Sequence, residues 1–97
     1  MSTIKIGLFG FGVVGEGIFK VLSQKTQIGV EVKKVVIKDA RKKRNAPAHL
    51  FSTDPRSILE DNEIDLVIEL IDDELAAYEI SIAAMKSGKS IISANKK

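Results

Sequence analysis

Gly10, Gly12 and Gly15 stand at the spacing G-x-G-x-x-G. Glycines so placed do one kind of chemistry well: they bring bare backbone up to a phosphate. Gly10 lets the chain turn sharply out of a strand, Gly12 leaves no side chain in the way of a pyrophosphate, and Gly15 lets the following helix pack close to the sheet. The helix that starts there offers free N–H groups and a positive dipole end to the same anion. The six backbone positions Gly10, Phe11, Gly12, Val13, Val14 and Gly15 are therefore the expected dinucleotide contacts. Glycine triplets also occur in plain turns, so the flanking elements decide. Ile4–Phe9 reads as a buried strand, and Val13 to Leu22 reads as a helix with Val14, Ile18, Val21 and Leu22 on one apolar face.

A second group of residues follows where the ribose of such a ligand is read. Roughly twenty residues past the glycines, an acid indicates NAD and a nearby cation NADP. Both occur here: Asp39, flanked by Lys38 and followed by Arg41, Lys42, Lys43 and Arg44. Asp39 on the ribose hydroxyls suits NAD. Lys38 or Arg41 at that place gives a 2′-phosphate charge-assisted hydrogen bonds. The expectation is NADP, with NAD use allowed. The same run also reads as a solvated basic loop, and no aromatic residues are interleaved in it for stacking on nucleic acid.

Bulk properties narrow the remaining classes. The 97 residues suffice for one domain, and 44% hydrophobic with 29% charged residues is an ordinary globular composition. A formal charge of +2 is too small to argue for nucleic acid. With no cysteine and a single histidine, thiolate metal sites, disulfides and cysteine nucleophiles are excluded. No apolar run reaches membrane-spanning length and the N-terminal residues lack the features of a secretory signal, so a soluble cytoplasmic protein that binds neither metal, membrane nor nucleic acid is expected.

The elements that must position these residues alternate along the chain. Val30 to Ile37 is a β-branched strand. Asp54-Pro55 opens a short helix through Ile58, Leu59 and Glu60, with Asp54 as cap and Pro55 in the first turn. Asp65 to Ile71 is a third strand. A longer helix runs from Asp72-Asp73 to about Ser87, stopped by Gly88, with Asp72 as its cap. Leu75, Tyr78, Ile82 and Met85 are its expected core face. Lys89 to Ser93 is a fourth strand. Short apolar strands separated by helices predict an α/β, Rossmann-type three-layer fold with a parallel sheet, partial in that it holds the first mononucleotide half plus the next strand. In spatial order 3-2-1-4 the fourth strand lies beside the first, so Ser93-Ala94-Asn95-Lys96 and the glycine turn converge on one crevice. Too few residues remain for a substrate domain, and residues 1–97 read as a truncated dinucleotide-binding domain of something larger.

With these segments placed, the chain resembles the N-terminal cofactor domain of homoserine dehydrogenase, nearly end to end. The likeness includes the glycine turn, Thr53-Asp54-Pro55, Ile64-Asp65-Leu66-Val67-Ile68-Glu69, and Ser87-Gly88-Lys89 leading to Ala94-Asn95-Lys96. The last of these is the most specific to the family. The resemblance implies reversible hydride transfer between NAD(P)(H) and a carbonyl, interconverting L-homoserine and L-aspartate 4-semialdehyde in threonine and methionine biosynthesis, by a homo-oligomeric parent. It implies that Lys96 lies near the nicotinamide and the reacting oxygen, where it polarises the carbonyl or moves a proton. Ser93 and Asn95 are expected at the cofactor from the strand order above; the resemblance puts the other catalytic groups in a later substrate domain, so that this chain alone is inactive. Asp72-Asp73 depart from paired glycines common in the family.

Two other readings stay open. One is the cofactor domain of a different NAD(P)-dependent oxidoreductase, although such families continue Glu-Lys-Pro where this chain has Asn95-Lys96-Lys97. The other is a stand-alone nucleotide-sensing module. Among lesser residues, His49 and Glu16 are expected to carry no role, and Tyr78 is expected in the core. Glu69 either accepts a ribose or amide hydrogen bond or ends its strand in solvent.

Overall fold

The amphipathic patterns above resolve, in a computed structural model that describes residues 3–24, 29–39 and 46–93, into strands and helices in strict alternation around one sheet. The elements are β1 (Ile4–Phe9), α1 (Val13–Gln24), β2 (Val30–Val36), a 3-10 turn (Ala48–Leu50), β3 (Phe51–Ser52), α2 (Arg56–Leu59), β4 (Leu66–Glu69), α3 (Glu74–Lys86) and β5 (Ser90–Ser93). The sheet is five-stranded in the order β3-β2-β1-β4-β5, and every pairing is parallel. This is the doubly wound, Rossmann-type arrangement expected from the alternation.

Strand order differs in one respect that bears on function. The two-residue β3 takes the outer place beside β2, so the strand adjoining β1 is β4, and β5 lies beyond it. Ser93 is thus one strand further from the glycine turn than a four-strand order 3-2-1-4 puts it. The sheet accordingly holds the first mononucleotide half and two strands more.

Side chains alternate across β1. Ile6 and Leu8 face one layer, where Ile18, Phe19 and Leu22 of α1 cover them together with Val32 and Val35. Phe9 faces the other, with Val36, Ile58, Ile64, Val67 and Ala84. The change of phase within β2 has a local cause: a bulge shifts the register between Ile6–Val32 and Gly7–Lys34, leaving Lys33 unpaired with β1. The Lys33 ammonium reaches Asp61 Oδ2 and Glu63 Oε1, both at 2.7 Å. It holds both carboxyls below their ordinary range, chiefly by these hydrogen bonds.

Two helix faces depart from expectation. On α1, Val14 and Val21 are exposed, and Ile18, Phe19 and Leu22 make the contact. On α3, Leu75 (67% exposed), Tyr78 (65%) and Met85 (54%) point outward, whereas Ala77 and Ala84 are buried and Ile80 packs on the core. A helix lying on a sheet presents its small residues where the two backbones approach. The large residues of α3 are displaced to the outer face.

The ends of the helices follow the expected chemistry. Arg56 N–H donates to Asp54 Oδ1 at 2.9 Å, with Pro55 already helical, and the Arg56 guanidinium holds the Asp54 carboxyl below its ordinary range. α3 closes on Gly88, with Lys89 N–H to Ala84 O and Gly88 N–H to Met85 O, both at 3.0 Å. Lys89 is itself buried, and its ammonium donates to Asp61 O at 2.6 Å and Ile64 O at 3.0 Å. The Gly-Lys pair therefore ends a helix and pins the loop before β4. Lys89→Met strips those carbonyls of their donor and is expected to cost about 1–3 kcal/mol. A thermal melt checks this, with a fall of roughly 4–8 °C per kcal/mol for a domain of this size.

Candidate functional site

The carboxyl ends of β1, β2 and β4 open onto a cavity of ≈ 690 Å³. Its lining comes from three places. Phe9, Gly10 and Gly12 supply the glycine turn; Val36, Ile37 and Lys38 supply the exit of β2; and Ile71, Asp72 and Asp73 supply the exit of β4. Thr53, Pro55, Ala76 and Ile80 complete it from β3's exit, the approach to α2, and α3.

The three glycines play separable parts. Gly10 has φ +104°, and a Cβ there would approach Leu70 O at 3.3 Å. A Cβ on Gly15 would stand 2.9 Å from Gly10 O, so α1 touches the turn backbone to backbone. A Cβ on Gly12, which lines the cavity, meets nothing within 4 Å. Glu16 N–H to Gly12 O at 2.9 Å is the first helical bond of α1. The preceding N–H groups of the helix have no intrahelical acceptor and are the natural anion seat.

Two neighbours hold the turn in place. Gly10 N–H donates to Val36 O, and Leu70 N–H donates to Phe9 O, both at 2.9 Å. The Phe11 ring turns away from the cavity and packs edge-on against Phe51 and Phe19, at centroid distances of 5.1 and 6.0 Å. Only its backbone is available to a ligand. Val13 and Val14 expose their side chains and do not line the cavity.

The remaining expected residues divide clearly. Lys38 is exposed and lines the mouth; Asp39 is half-buried just behind it and is not among the described lining residues. Ser93 lies two strands from β1, where its hydroxyl donates to Glu69 Oε1 at 2.6 Å. Arg41, with Lys42 to Arg44, lies outside the described residues, as do Asn95 and Lys96. No cluster of potential metal ligands occurs among the described residues, and no helix of these is long and apolar enough to cross a membrane.

Asp73, not Asp72, caps α3: its Oδ1 accepts from Leu75 N–H at 3.0 Å and Ala76 N–H at 3.3 Å. The N-terminus of α3 is thus occupied by the chain's own carboxylate, which leaves α1 as the helix end open to an anion. Asp72 is exposed on the same wall. Glu69 is neither at the solvent nor in the lining; it is buried at the end of β4. The spacing of Thr53 and of the β4 exit carries no site signal, and only the sheet order brings them to the cavity.

Comparison with known proteins settles the family. Residues 10–97 match the model described as homoserine dehydrogenase, NAD binding domain. The chain belongs to the homoserine dehydrogenase NAD-binding domain family. Homoserine dehydrogenase of Bacillus subtilis is 33% identical over 99% of this chain and 24% of its own length. That of Helicobacter pylori is 34% identical over 96% of this chain and 24% of its own length. Among solved structures, the Staphylococcus aureus homoserine dehydrogenase at pH 6.5 superposes with TM-score 0.90 at 27% identity, over 100% of this chain and 27% of that one. The enzyme from Thiobacillus denitrificans gives 0.89 at 31% identity, over 99% and 24%. The chain therefore spans about a quarter of the length of the homoserine dehydrogenases it matches.

Proposed function

We propose that residues 1–97 are the cofactor-binding unit of a homoserine dehydrogenase and hold NAD(P)(H) across the glycine turn. The observation that carries this reading is at Gly12, a lining residue of the cavity where nothing of the protein stands within 4 Å of a Cβ. A pyrophosphate fits that cradle, since the turn offers N–H donors and the positive end of α1. Gly10, Phe11, Gly12, Val13, Val14 and Gly15 contribute backbone. Lys38 and Asp39, with Arg41, meet the adenosine ribose, and Lys38 and Arg41 favour NADP. Ser93 and Asn95 border the nicotinamide half, and Lys96 is the catalytic residue that polarises the substrate carbonyl.

The bound nicotinamide supplies or takes a hydride at the carbonyl carbon that interconverts L-homoserine and L-aspartate 4-semialdehyde. The chain's own residues bind and orient it; alone, the unit is expected to be inactive. The whole enzyme is proposed to be a cytoplasmic homo-oligomer serving threonine and methionine biosynthesis.

Fluorescence titration with NADPH and, separately, NADH tests the reading, and saturable binding of either supports it. Replacing both Arg41 and Lys42 with Ala is expected to weaken NADPH far more than NADH. Equal losses would assign the run to general electrostatics. Asp72 adds a charge that a dinucleotide meets on the opposite wall. Asp72→Asn is expected to tighten NADPH binding roughly two- to fivefold at low salt, an effect that shrinks as salt is added. Unchanged affinity would place the ligand's phosphates beyond reach of that wall.

A further inference from the structure

Glu69 is fully buried (0% exposed) at the carboxyl end of β4. Burial of a carboxylate is costly without hydrogen bonds, and an apolar residue of similar size would fill the same place without that cost. Both oxygens are engaged. Oε2 accepts Ile71 N–H at 2.5 Å, and Oε1 accepts the Ser93 hydroxyl at 2.6 Å. The carboxylate thus bridges the segment leaving β4 and the end of β5, whose residues Glu69 and Ser93 are in register.

What it holds in place is a wall of the cavity. Ile71, Asp72 and Asp73 line it. Leu70, between Glu69 and Ile71, accounts for the tight packing behind the glycines. Its carbonyl oxygen lies 3.3 Å from where a Gly10 Cβ would be, and its Cδ1 lies 3.3 Å from where a Gly15 Cβ would be. Freed of its bond to Glu69, Ile71 N–H would be unsatisfied, and the segment 71–73 would be held to the turn only through the neighbouring Leu70 N–H on Phe9 O.

We propose that Glu69 is a positioning residue of the cofactor site: it touches no ligand, but its carboxylate clamps the 70–73 wall against the glycine turn and ties it to the end of β5. The proposal rests on the cofactor reading above. Its test separates the two, because the unsubstituted chain is titrated with NADPH first.

Three variants then isolate geometry from charge and volume. Glu69→Gln keeps an acceptor for Ile71 N–H and gains a donor for Ser93 Oγ, so affinity is expected to stay within about threefold. Glu69→Leu keeps the volume and removes the clamp, and is expected to weaken NADPH at least about tenfold in folded protein. Glu69→Asp keeps the charge and shortens the reach, with a similar loss. Exchange of the Ile71 amide in ligand-free protein should quicken in the Leu and Asp variants and not in Gln, a signature that general destabilisation does not give.

If the unsubstituted chain binds and either folded variant, Leu or Asp, binds as tightly, the clamp is refuted while the cofactor reading stands. Equal loss in Gln and Leu would refute it too, by showing that charge alone matters. Should Glu69→Leu not fold, Glu69→Asp decides. Failure of the unsubstituted chain to bind removes both readings.

Discussion

Gly12→Val is expected to bind NADPH at least about a hundredfold more weakly than the unsubstituted chain. Its melting temperature should stay within about 5 °C of the parent. The two halves of that expectation have one cause. A Cβ at residue 12 meets no protein atom within 4 Å, and its φ is not in the left-handed region, so the fold accepts a side chain there. The entropy that glycine loses on folding favours replacement by about 0.4–1 kcal/mol, while valine is a poor residue at a helix start by a similar amount. The isopropyl group instead fills the place where the backbone would meet the pyrophosphate. Circular dichroism melts alongside the titration check both halves. Wild-type affinity in a folded Gly12→Val protein would show that the phosphates lie elsewhere.

Gly15→Ala should differ from it in stability. Alanine is the better helix former by about 1 kcal/mol, and on propensity alone the substitution stabilises α1. Here its Cβ would stand 2.9 Å from the Gly10 carbonyl oxygen, which is backbone and cannot rotate aside. Either α1 lifts from the turn or the turn deforms. Overpacking of this kind costs about 1–3 kcal/mol. A melting temperature lowered by roughly 5–20 °C and a weaker cofactor complex are both expected. Unchanged stability would mean that α1 sits further from the turn than the distance to Gly10 states. Within one motif, then, one glycine is expected to make room for the ligand, while another makes room for the helix.

Local chemistry was the legible part of the chain. The strand-turn-helix order around Gly10, the entry to α2 at Asp54-Pro55 and the stop at Gly88 all depend on residues within a turn or two of one another. The parts that differ depend on partners far away in sequence. β3 is too short to carry an alternating pattern, and it exists as a strand because Phe51 and Ser52 pair with Val35 and Val36. Missing it moves β5 next to β1 on paper. On α3, hydrophobicity marks Leu75, Tyr78 and Met85, whereas close approach to a sheet selects Ala77 and Ala84. Asp73 rather than Asp72 caps α3, a one-residue difference that composition does not encode. Glu69 and Lys89 each look like a surface charge until their partners are known, 24 and 25 residues away for Ser93 and Ile64 respectively.

The central place of β1 also governs how the site comes into being. Its carboxyl end is bracketed by Gly10 N–H on Val36 O and by Leu70 N–H on Phe9 O. One partner belongs to the β2 side of the sheet and the other to the β4 side, so neither docking alone shapes the turn. Such pairings are remote in sequence and slow to form, because loop closure must precede any gain from them. The anion seat therefore has no early, local precursor; a folding intermediate with only β1, α1 and β2 assembled would hold half of it. Acquisition of NADPH affinity during refolding should follow the docking of both β2 and β4 on β1, and ligand added at that stage pulls the equilibrium forward by mass action. Cofactor fluorescence during refolding is therefore expected to time the docking of both flanks on β1.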